Sequence, residues 1–125
     1  MKKERIAKLS RAILIGFYLF AGVNHFIDPG FYLPLIPPFF KNPELINILA
    51  GIAEVLLTVL VIPKATRKWA VYGIIAMLIA FIPSHVYFIQ IGSCIEGGLC
   101  APEWVGWARL VVIHPILIYW AYRAK

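Results

Sequence analysis

The stretch Leu45-Ile46-Asn47-Ile48-Leu49-Ala50-Gly51-Ile52-Ala53-Glu54-Val55-Leu56-Leu57-Thr58-Val59-Leu60-Val61-Ile62 is apolar almost throughout and carries one charge, the Glu54 carboxylate near its middle. A run of this length and polarity enters a bilayer as a helix. An ionisable group at that depth costs a few kcal/mol or much more, so it faces other protein and finds a partner. The fold therefore turns on what meets Glu54. The other apolar runs offer His25, His85, Arg109 and His114.

Composition narrows the class. The 125 residues fit one domain, yet 62% are hydrophobic and only 14% charged, where soluble domains keep about a quarter charged. The net charge of +6 would suggest nucleic acid in a soluble chain. Here no basic stripe interleaves with exposed aromatics, and the basic residues are segregated by segment, as membrane orientation requires.

Met1 to Arg11 is a basic tail with Lys2, Lys3, Arg5, Lys8 and Arg11, suited to anionic headgroups and to an interfacial helix continuous with the next segment. Ala12 to Ile27 forms the first span, ended by Asp28-Pro29. No small-x-small cleavage site follows, so it reads as a retained span rather than a signal peptide. The aromatic, proline-rich segment Phe31 to Pro43 is too apolar for a solvated loop and too broken to span, which makes it a lid over the bundle mouth. The second span is Leu45 to Ile62, where Gly51, one turn before Glu54, admits a close neighbour. The third is Trp69 to about Ile91, kinked at Pro83 because that residue cannot bond the carbonyl of Ile79. The fourth is Trp104 to Tyr122.

Ten basic residues fall in the tail, the Lys64 to Lys68 turn and the C-terminus, against Lys41 alone in the other two connections. The positive-inside rule then places both termini in the cytoplasm. The expectation is an all-α, four-transmembrane-helix bundle over 1–125.

That orientation converts position into depth. At 1.5 Å per residue, Glu54 lies roughly 13 Å below the outer start of its span and Arg109 about 7 Å below that of its own. His25 and His85 occupy the same outer half. Asn24, Ser84, Tyr87 and Trp107 are nearby in sequence, and together these residues form one expected polar cluster. His114, five residues after Arg109, points some 140° away on a regular helix and falls outside it. A structural reading makes Glu54 and Arg109 a buried ion pair that fixes helix register, with the histidines as interior hydrogen-bond partners. A functional reading makes the cluster a pocket for a polar headgroup or for proton transfer. No local HxxE or HxxxH spacing exists, so no metal site is expected. Cys94 and Cys100 flank a short glycine-containing loop on the outer side, where disulfides persist. They form either a structural clasp or a redox pair, though the spacing is not Cys-x-x-Cys.

The order Ala21-Gly22-x-Asn24-His25-Phe26-x-Asp28-Pro29-x-Phe31-Tyr32, Gly51-x-x-Glu54, Pro63-x-x-x-Arg67, Pro83-Ser84 and Trp107-x-Arg109-Leu110, then Trp120, resembles the DoxX-like family of small four-helix membrane proteins. More distantly it is similar to the methylamine-utilisation protein MauE. The resemblance implies a quinone-associated or redox-accessory role in the bacterial cytoplasmic membrane. The chain departs from the commoner pattern at His114, where a glutamine often follows the Arg-Leu pair, and in carrying Cys94 and Cys100.

Three functions follow as alternatives. In a redox accessory, Glu54, His25 and His85 exchange protons with a quinone-like head or bond its oxygens, while Arg109 holds Glu54 charged or stabilises developing negative charge; a redox protein is the expected partner. In a non-catalytic subunit the pocket holds a membrane lipid or supports assembly, including with a second copy of the chain. In an acid-base enzyme, Glu54 and His85 isomerise a lipophilic substrate.

Overall fold

Asn42 starts the central helix: its side-chain oxygen accepts the Leu45 N–H, and Pro43 occupies the first turn, where the missing donor is harmless. In the computed structural model, which describes residues 1–125, the chain is helical with no strand. Helix α1 is Lys2–Ile27, and the short α2 is Pro29–Tyr32, followed by a 3₁₀ turn at Leu33–Leu35. Helix α3 is Pro43–Val61, α4 is Lys64–Ala80 and α5 is Ile82–Gln90. Helix α6 is Glu103–Ala108, leading through a π-helical turn at Arg109–Ile113 into α7, His114–Arg123.

Four helical stretches are long and apolar enough to cross a membrane: Lys2–Ile27, Pro43–Val61, Lys64–Gln90 and Glu103–Arg123. The basic tail is continuous with the first of them. Only 22 of the 125 residues are buried, while Phe20, Ile27 and Trp69 are about three-quarters exposed. So wide an apolar exterior suits hydrocarbon rather than water.

Packing runs from α1 to α3, α3 to α4 and α4 to α7. The remaining side is bridged near the chain termini, where Arg11 Nε donates to the Ala124 carbonyl and Trp120 Nε1 to Ser10 Oγ. That end of the bundle is filled by Leu14, Val61, Val71, Ile74 and Ala121. The sharp turn after α3 is held by Arg67, whose guanidinium donates to the carbonyls of Val61 and Ile62. A cation there satisfies carbonyls that lack helical partners.

Two prolines interrupt the later spans. The third breaks at Phe81, two residues before Pro83, and the helix resumes with Pro83 in the first turn of α5. In the fourth, Pro115 would press on the carbonyl four residues earlier, and the chain instead closes a wider turn in which the His114 N–H bonds the Arg109 carbonyl.

The connections after the first and third spans also take definite form. Phe31 to Phe40 folds across the end of the bundle remote from the termini, held by Ser84 Oγ donating to the Leu35 carbonyl at 2.7 Å. Cys94 and Cys100 are disulfide-bonded, closing a loop in which Gly92 and Gly97 adopt positive φ.

Candidate functional site

Glu54 meets His25. Helices α1 and α3 approach closely because each presents a glycine to the other. A side chain at Gly22 would collide with Glu54 and Val55, and one at Gly51 with His25 and Phe26. The contact sets the Glu54 carboxylate 2.9 Å from His25 Nε2, with both residues over nine-tenths buried.

Asn47, two turns before Glu54 on the same buried face, fixes the imidazole. Its amide nitrogen donates to the His25 carbonyl at 2.9 Å, which turns its oxygen toward His25 Nδ1 at 2.7 Å. That oxygen can only accept, so Nδ1 carries a hydrogen. One further proton then lies between Nε2 and the carboxylate, giving either imidazolium with carboxylate or neutral imidazole with carboxylic acid. The pair is neutral overall in both forms. Tyr32 stacks on the other face of the ring with centroids 3.8 Å apart, and its hydroxyl accepts from Asn24 Nδ2 at 2.9 Å. Thr58 donates to the Glu54 carbonyl from one turn below.

The pair forms one wall of a cavity of about 850 Å³, roofed by Phe31, Leu35, Ile36 and Phe40. His85, Arg109 and His114 line it from α5, the π turn and α7 respectively. The expected Glu54–Arg109 ion pair is absent, because α4 stands between α3 and α7, yet both residues face this one hollow. Arg109 lies over the Phe88 ring at 5.0 Å, and its buried Nη1 has no acceptor.

His114 corrects the expectation that it stands apart. The wide turn brings the residue five positions on back toward the face of Arg109, so the His114 ring meets His85 edge-on at 4.7 Å and bonds the Leu78 carbonyl at the α4–α5 break.

Other expected residues fall elsewhere. Asn24 supports Tyr32, and Ser84 anchors the lid as well as lining the cavity. Tyr87 lines a separate, shallower hollow with Pro38 and Gln90. Trp107 is half exposed outside the cavity. The exposed Cys94 and Cys100 do not line it either. No three His, Cys, Asp or Glu side chains converge as metal ligands.

Residues not expected at the site are Asn47, Thr58 and Tyr18, which lines the cavity and whose buried hydroxyl has no partner. A signal existed for the first two: Asn47, Gly51, Glu54 and Thr58 recur at helical spacing along one face.

Residues 14–125 match the family described as a domain of unknown function, DUF8561. The chain belongs to that family. No curated protein and no solved structure matches it.

Proposed function

We propose that this chain is an integral membrane protein of the bacterial cytoplasmic membrane that binds a lipophilic molecule with a polar head, acting as a redox accessory with a quinone as the leading candidate. Both termini are cytoplasmic and the cavity opens in the outer half of the bilayer. The orientation rests on the ten basic residues at the tail, the Lys64 turn and the C-terminus.

The observation that carries the reading is one predominantly apolar cavity of ligand size lined both by a proton-sharing pair and by an arginine whose guanidinium has an unpartnered nitrogen. The residues fit a quinone: Arg109 Nη1 and the Tyr18 hydroxyl lack acceptors, which carbonyl oxygens supply, and the apolar lining suits a ring and tail. A bound quinone supplies two-electron, two-proton redox chemistry. The chain's own part is to seat the head, exclude water beneath the lid, and hold one proton between His25 Nε2 and Glu54. Asn47 keeps the imidazole oriented for that exchange. The DoxX-like resemblance of the Asn24-His25, Gly51-x-x-Glu54 and Trp107-x-Arg109 segments supports the same role.

The test is to purify the protein in detergent, extract bound lipids for mass spectrometry, and titrate a decyl-substituted benzoquinone against tryptophan fluorescence. Saturable binding that weakens in Glu54→Gln and His25→Ala is expected. A cavity that neither retains nor takes up the quinone removes the redox reading.

A further inference from the structure

Arg109 carries the one unbalanced charge in the cavity. A guanidinium stays protonated in proteins, and in a low-dielectric site its charge needs an acceptor or a counter-charge. The chain has six acidic residues: Glu4, Asp28, Glu44, Glu54, Glu96 and Glu103. Of these only Glu54 lines the cavity, and it is engaged by His25 in a pair that is neutral overall. The one other ion pair is Lys8–Glu4 on the tail. Phe88 offers Arg109 a ring face, which attracts a cation but leaves Nη1 without an acceptor.

The surroundings add donors and no acid. His85 lines the cavity from α5, its ring making no hydrogen bond within the chain and contacting the His114 ring. The Leu78 carbonyl already accepts from His114. The wall built from α5, the π turn and α7 is therefore cationic and short of acceptors, whereas the α1–α3 wall is internally balanced.

We propose that this second wall is an anion-binding subsite, where Arg109 and His85 hold the carboxylate or phosphate-monoester head of a single-chain lipophile whose tail occupies the apolar remainder. The inference rests on the reading of the cavity as a lipophile site and specifies the charge of the head. A guanidinium meets either anion with paired, charge-assisted hydrogen bonds that a neutral hydroxyl or ketone cannot match. The volume accommodates a single-chain molecule.

The experiment compares four probes on the purified full chain in one detergent: hexadecanoate, hexadecyl phosphate, hexadecanol and decyl-benzoquinone. Native mass spectrometry and fluorescence titration read the affinities. The wild-type protein is expected to prefer one or both anions over the alcohol by about tenfold or more. The two anionic arms separate a carboxylate head from a phosphate head. Arg109→Gln should erase the preference, and Arg109→Lys should restore part of it. Equal binding of alcohol and anion by the wild type overturns the subsite, as does tighter binding of the quinone than of either anion; in both cases the lipophile cavity stands. Failure of all four probes to bind overturns the cavity reading and this inference together. The wild-type comparison decides the matter even where a variant does not fold.

Discussion

At the scale of single residues, the His25–Glu54 pair separates its electrostatic role from its packing role. Glu54→Ala leaves Nε2 of a buried imidazole with no partner and is expected to destabilise the protein by about 3–5 kcal/mol. Glu54→Gln retains the shape, and its amide can donate to Nε2, so a loss of about 1 kcal/mol is expected. Unfolding in detergent by denaturant or heat measures the difference; equal losses would mean that the retained shape contributes nothing and the shared proton alone carries the contact. Asn47→Ala removes two hydrogen bonds between α1 and α3 and should cost about 1–2 kcal/mol, given the modest strength of such bonds in membranes. The sequence made Glu54 conspicuous because carboxylates are rare at that depth. It did not identify the partner, since both His25 and Arg109 were chemically suitable and the helix order in space decided between them.

At the scale of elements, close helix approach and local helix type govern the site. Gly51→Ala puts a methyl group 2.8–2.9 Å from atoms of Phe26 and His25. Overpacking of about 1–3 kcal/mol should exceed the gain in helix propensity of about 1 kcal/mol. Gly16 has open space at the corresponding position, so Gly16→Ala is expected to be neutral or stabilising by up to about 1 kcal/mol. Parallel unfolding curves check this pair, and a stabilised Gly51→Ala protein would show that the α1–α3 contact is looser than described. Pro115→Ala returns the missing backbone donor and lets the π turn relax to a regular helix. Arg109 should then rotate away from the cavity, abolishing anion preference in a folded protein. Unchanged preference would place the cause of the wide turn outside Pro115. The Pro83 interruption was readable from covalent chemistry, whereas the π turn was not, because a proline is met by a kink, a break or a wide turn according to its neighbours.

At the scale of the whole molecule, the apolar end near the termini and the polar cavity at the opposite end divide stability from recognition. Cys94 and Cys100 close a small loop, and replacing both by serine should cost about 2 kcal/mol on loop-entropy grounds. Because neither cysteine lines the cavity, ligand affinity should be unchanged. A large loss of affinity would tie the disulfide to the site. Orientation is checked on intact cells: after reduction with an impermeant phosphine, these thiols should react with an impermeant maleimide without permeabilisation. Labelling only after permeabilisation would invert the proposed topology.

The sequence by itself determined the helical class, the four apolar stretches, the Pro83 interruption and the residue types available for a polar interior. These follow from run length, the absence of water in hydrocarbon and the covalent limits of proline, all local properties. Only the tertiary structure decided that Glu54 meets His25 through paired glycines, that Arg109 faces the same hollow without a counterion, and that His114 joins the site. Those outcomes depend on which helices are neighbours and on a half-turn of local register, and neither is encoded in any one segment.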